Sequence, residues 1–260
     1  MDVAVKEPLE AAAVRETVEE LHERIGARFP ERGLRGVAGD LLLLIDQVQA
    51  SATDSQGRVR FIRLLSRVAM LAILAATGAA VVLATADAVQ LDDLDSFQLL
   101  PLIETVINDV VYAGIAVFFL YSFPERLRRG QLLNLLFQLR STAHIIDMHQ
   151  LSKDPEQLRP TYIPTKVSRP LDLTRDEMER YLDYCSELLS LVGKAAALCA
   201  EESRDDVVLD TVSRIETLTV GLSRKIWQKI SNLPPPGEAM PPAGRSPKPI
   251  EYPELRPPGG

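Results

Sequence analysis

Three groups of side chains in this sequence could do chemistry. Glu104, Asn108 and Asp109 open an otherwise apolar stretch. Glu104 and Asn108 are one helical turn apart and share a face. An ionised Asp109 facing lipid costs at least ~2.5 kcal/mol. Its place is therefore against a partner helix, in a water-filled space or among lipid headgroups. In an oligomer these carboxylates would form an acidic ring, the device by which many cation pores select ions. They are the candidate ion pathway. The second group is His144, Asp147 and His149, in the run HIIDMH. The two histidines are about 140° apart round a helix and do not share a face, and His144 with Asp147 is too small a ligand set. Hydrogen-bonded helix histidines are expected, and no metal site. The third group is Cys185 and Cys199. On one helix they would stand about 21 Å apart, too far for a bond, so buried thiols are expected.

No nucleophile elbow, phosphate-binding glycine loop or acid/base constellation occurs. Gly33, Gly36 and Gly39 are wrongly spaced for a nucleotide fingerprint and follow no strand. The expectation is a protein that is not an enzyme and carries no cofactor.

The elements that would position these residues come from how charge and apolarity are distributed. The chain has 260 residues, a net charge of −7, 46% hydrophobic and 25% charged residues. Its mean hydropathy of +0.02 looks like that of a soluble protein. The acidic balance argues against a nucleic-acid partner. Two cysteines exclude a disulfide scaffold. The average hides a segregation. Residues 68–89 carry one charge, Asp87, near their end, and a helix of that length spans about 30 Å, the thickness of a bilayer core. A second apolar stretch covers residues 101–123. Between them lies a short acidic segment with Asp92, Asp93 and Asp95. Arg58, Arg60, Arg63 and Arg67 precede the first span, and Arg126, Arg128 and Arg129 follow the second. The positive-inside rule then places both termini in the cytoplasm and the loop outside, in a bacterial plasma membrane. The layout resembles the mitochondrial calcium uniporter in topology alone. That family's motif sets Asp and Glu three residues apart just before a Pro, whereas Glu104 here follows Pro101, and no residue is carried over.

The first span also bears Ala72, Ala76, Ala80, Ala84 and Ala88. Small residues every fourth position form a shallow ridge where two helices can approach closely, either within the hairpin or between subunits.

The flanking segments read as amphipathic helices. Val14, Val18, Leu21 and Ile25 form one stripe, and Leu34, Val37, Leu41, Leu44 and Val48 a second, which ends before Gly57. After the membrane, Leu132, Leu136, Leu139, Ala143 and Ile146 share a side. Prolines then predict an extended surface connector over residues 153–173. Thr174 and Glu177 form a capping box. Behind it run two helices joined by a turn at residues 201–205. The second ends with Arg224, Lys225 and Lys229 around Trp227, a pattern suited either to contact with anionic lipid or to a Trp packed in the bundle with cations decorating the helix C-terminus. From residue 234 ten of 27 residues are Pro and four are Gly, the composition of a disordered tail.

The expected fold is all-α: N-terminal amphipathic helices (residues 1–66), a transmembrane hairpin (67–124), a helical segment (125–233) that packs with the first into one cytoplasmic bundle, and the tail (234–260). The expected role is that of a scaffold or regulatory protein. Its partners would be the lipid bilayer, further copies of itself, or other membrane and cytoplasmic proteins. The alternative is a subunit of an oligomeric cation channel or transporter.

Overall fold

A computed structural model describes residues 9–90, 96–168, 170–201 and 203–240, with side chains omitted at 51–60, 63, 84–85, 87–90 and 96–103. Five α-helices and one 3-10 turn make up the described residues, with no strand. Helix α1 is Ala11–Arg28, α2 Leu34–Gln90, α3 Ser96–Leu151, α4 Arg175–Glu201 and α5 Asp206–Ser231; the 3-10 turn is Pro155–Leu158.

The local reasons for these elements are in the sequence. The buried side of α1 is Val14, Val18, Leu21 and Ile25, the expected stripe. At the start of α4, the Thr174 N–H and hydroxyl both donate to the Glu177 carboxylate, at 2.8 and 3.0 Å. The Glu177 N–H donates back to Thr174 Oγ1 at 3.2 Å, which completes the capping box. Asp205 caps α5 by accepting from the N–H groups of Val207 and Val208.

The two longest helices differ from expectation in continuity. The sequence suggested a break near Gly57, yet α2 runs 57 residues without interruption, and α3 runs 56. Gly in a helix interior costs only about 1 kcal/mol, which packing on both sides readily outweighs. Each long helix therefore has an apolar portion of membrane-spanning length and a portion in the bundle. Two helices are long and apolar enough to cross a membrane, one of them through residues 64–83 and the other from Glu104 onward, and almost none of their apolar surface is buried within the chain.

The bundle has a single core. It joins α1 and the first turns of α2 to the last turns of α3 and to α4 and α5. Helix α4 is central, packing on all four others. Its Leu182, Cys185, Leu189, Val192 and Cys199 are fully enclosed. Gly193 lets α5 come close: a Cβ there would meet Thr219 Oγ1 at 3.1 Å.

Two segments expected on the surface pack inward. The connector holds Leu158, Leu171 and Leu173 in the core. Its prolines stop helix formation but leave leucines free to bury, and Pro155 sits comfortably in the first turn of a 3-10 helix. Residues 234–240, assigned above to the Pro-rich tail, return to the bundle. The Arg175 guanidinium donates to the Pro234 carbonyl at 3.1 Å, and the Met240 N–H donates to the Leu158 carbonyl at 2.9 Å.

Candidate functional site

At the end of the bundle farthest from the hairpin, four separate segments converge. Phe29 and Arg32 come from the turn after α1, His149 from α3, Lys153 and Asp172 from the connector, and Tyr181 from α4. Phe29 meets Tyr181 edge-on at 5.4 Å between ring centres. The Arg32 guanidinium lies 5.7 Å from the Tyr181 ring centre and the Lys153 ammonium 5.5 Å. Arg32 is paired with Asp172 at 2.8 Å. Tyr181 Oη is 3.4 Å from His149 Nδ1. The His149 ring presses on Gly33, where a Cβ would come within 2.8 Å of it.

The electrostatics follow from this crowding. Burial, with Arg32 beside it, lowers the Lys153 ammonium below its ordinary value. Burial raises the Tyr181 hydroxyl. It would also raise the Asp172 carboxyl, but the Arg32 hydrogen bond and charge bring that group below its usual range. Cys185, enclosed nearby, is pushed up to about 12 by burial, so it is an inert thiol and not a nucleophile. No sequence pattern announces this cluster, because its members are spread from residue 29 to residue 181.

Burial and then the Lys153 charge lower the His149 imidazole. Its folded pKa is below the unfolded value of about 6.5, so as pH falls the unfolded chain takes up the proton first. The stability His149 contributes is full above about pH 6.5 and fades as pH falls toward the folded pKa. Melting temperature should therefore drop more between about pH 7.5 and 5.5 in the parent than in His149→Gln. Parallel curves for the two proteins would refute the assignment.

Lys229 had two readings, a lipid contact with Arg224, Lys225 and Trp227 or a cation decorating the end of a bundle helix. It is built into the bundle. Its ammonium donates to the Gln150 and Lys153 carbonyls at 2.8 and 2.9 Å, at the C-terminus of α3. Those are the orphan carbonyls of a helix end, where a cation is favoured. Gln150 lies 26 positions beyond Pro124 on α3, about 39 Å of helix rise. This end of the bundle is thus out of reach of a bilayer crossed by the hairpin. Arg224, Lys225 and Trp227 are exposed there. Lys229→Ala should cost about 1.5–3 kcal/mol, the range for hydrogen bonds to a charged group. Thermal unfolding checks this, and a loss below about 0.5 kcal/mol, the usual span of surface substitutions, would contradict it.

Helix α2 packs on α3, and in the hairpin the partly or fully covered residues include Ser66, Ile73, Thr77 and Val81 on α2 and Ala113, Val117, Leu120 and Pro124 on α3. Ala72, Ala76 and Ala80 stand outside this seam and are exposed. The side chains of Ala84 and Ala88 lie outside those described. Glu104, Asn108 and Asp109 are exposed. At about 100° per residue Glu104 and Asn108 share a face, and Asp109 is turned a further ~100° away. Asp92, Asp93 and Asp95 lie outside the described residues.

Two further hollows open on the bundle. One, of about 490 Å³, is lined by Glu125, Arg128, Arg129 and the α4–α5 turn, with Arg129 and Asp205 paired at 3.6 Å. The other, of about 320 Å³ and mostly apolar, lies between α1 and α4 beside Leu9, Val14 and Leu191. No group of three or more metal-ligating side chains occurs among the described residues. His144 is exposed and Asp147 accepts a hydrogen bond from Gln150.

No protein-family model, curated protein or solved structure matches the chain. The functional reading rests on geometry alone.

Proposed function

We propose that this chain is a non-enzymatic membrane scaffold or regulatory protein. A two-span hairpin holds a five-helix bundle at the cytoplasmic face of a bacterial plasma membrane, and the bundle surface engages protein partners. The observation that carries the reading is the continuity of α2 and α3, each of which holds both a membrane-length apolar portion and a share of the bundle core. A bundle mounted on two unbroken helices keeps a fixed orientation to the bilayer, as a docking platform needs. The arginines at the cytoplasmic ends of the spans and the acidic loop between them support the orientation. The apolar groove between α1 and α4 and the exposed Trp227 offer surfaces for partners.

The test has two arms in intact cells. Cysteines placed singly at Asp93 and Ser152 report topology through a membrane-impermeant thiol reagent. Labelling of the Asp93 variant only is expected, and labelling of the Ser152 variant from outside would overturn the orientation. A photo-crosslinking residue at Leu191 or Trp227 should then trap a defined cytoplasmic protein. Failure to trap any protein at either position would remove the scaffold reading.

A further inference from the structure

We propose that the outer face of the α2–α3 hairpin is the seat of a second copy of this chain, forming a twofold dimer whose axis runs along the bilayer normal. The proposal rests on the membrane reading above and names the partner of one surface. At about 100° per residue, Leu43, Phe61, Leu65, Ala72 and Ala76 of α2 fall within about 60° of one another. On α3, Tyr112, Phe119, Phe137, His144 and Met148 fall within about 40°. The centre of the stripe lies about 135° on α2 and about 155° on α3 from the side each helix buries in the bundle. The buried sides of both helices face the common core of the bundle. The two stripes therefore both point outward, away from the bundle core.

This outward face crosses between two solvents without changing register. In the bundle it exposes Leu43 at 61%, Phe137 at 59% and Met148 at 70%. Large apolar side chains so open to water on one face mark an interaction surface. In the span the same face of α2 carries Ala72 and Ala76, away from the partly covered Ile73 and Thr77. Lipid could cover the span portion, and a soluble protein could cover the bundle portion. A single occupant of both must cross the bilayer as a helix and continue as a helix well beyond it. A second copy has that architecture, and it meets the face in parallel orientation with equivalent levels matched, as an isologous contact requires.

Size and shape agree with this occupant. From Leu43 to Ala76 the face is about 50 Å long and two helices, roughly 20 Å, wide. That is on the order of 1,000 Å² per copy, against the ~800 Å² per partner of a stable interface. The alanines let the α2 helices approach closely where no hydrophobic effect drives them together. In water, Leu43, Phe137 and Met148 supply the apolar burial.

The experiment measures the mass of the full-length chain, reconstituted in lipid nanodiscs and in mild detergent, by light scattering corrected for lipid. The parent should be a dimer, twice 28.7 kDa. Leu43→Glu and Phe137→Glu are exposed positions in the monomer and should weaken dimerisation by about tenfold or more while helical content is retained. Val220→Glu on α5, exposed but turned away from this face, should leave the dimer intact. Ala72→Leu with Ala76→Leu should weaken it through the span alone. A monomeric parent, a ring of more than two copies, or a dimer indifferent to Leu43→Glu and Phe137→Glu overturns the proposal. Carbonate extraction of the same membranes separates the two readings. A chain washed from the bilayer fails the membrane reading, and an embedded monomer fails only the dimer.

Discussion

Leu139→Ala should destabilise the bundle by about 2–5 kcal/mol, the cost of deleting a large apolar side chain from a closed core. Leu139 is fully buried on α3, a helix that packs on α2, α4 and α5. Its own helix and α2 are anchored in the hairpin as well, so its surroundings have little freedom to collapse into the space left behind. The cavity term is then added to the lost transfer energy. Leu209→Ala on α5, at a partly exposed position, should stay within about 0.5 kcal/mol of the parent. Denaturant unfolding in detergent, followed by circular dichroism, compares the two. Equal losses would mean that the core is not where the burial pattern puts it.

Two alanines inserted between Arg60 and Phe61 should uncouple the bundle from the hairpin. The insertion turns the span portion of α2 by about 200° against the bundle portion. Ile73 and Thr77 then face away from α3 while Leu41 and Ile45 still face the core. The chain must abandon one packing or break α2, and a helix break costs about 3 kcal/mol or more. Seven-residue helical insertions in both α2 and α3 at the same level, after Arg60 and after Arg126, leave both faces within about 20° of their original direction. They should restore stability. The measurement is unfolding in detergent for the three proteins. A two-residue insertion as stable as the parent would show that α2 is not a rigid connection.

Much of the fold was legible because the signals were local. Val14 to Ile25 and Val208 to Ile226 repeat at steps of three and four, and both stripes are buried as their spacing implies. The capping box at Thr174 needs only residues three apart, and it forms. The connector was harder. Prolines say where a helix cannot be, but not whether Leu158, Leu171 and Leu173 find a core to enter. The partners of Lys229 were hidden for a related reason. A basic cluster beside Trp227 looks the same on any helix end, and only the path of α3 puts the carbonyls of Gln150 and Lys153 within its reach.

The candidate site divides along the same line. Residue type and spacing marked the alanine ridge, the acidic opening of the second apolar stretch, the histidine run and the buried cysteines. They left open which of these would meet one another. The aromatic and cationic cluster around Tyr181 had no sequence signal, since its members lie on four segments.

By itself, the sequence determined that the chain is helical, that two stretches have the length and apolarity to cross a bilayer, and which side of each amphipathic helix is apolar. These properties depend on periodicity and composition within a turn or two of helix. The tertiary structure decided that α2 and α3 run unbroken from apolar span to bundle core, that Lys229 closes the end of α3, and that Ala72 and Ala76 face outward with Leu43. Each of those depends on where distant segments pack, and packing energy from contacts far apart in the chain outweighs the weak local preference at a position such as Gly57.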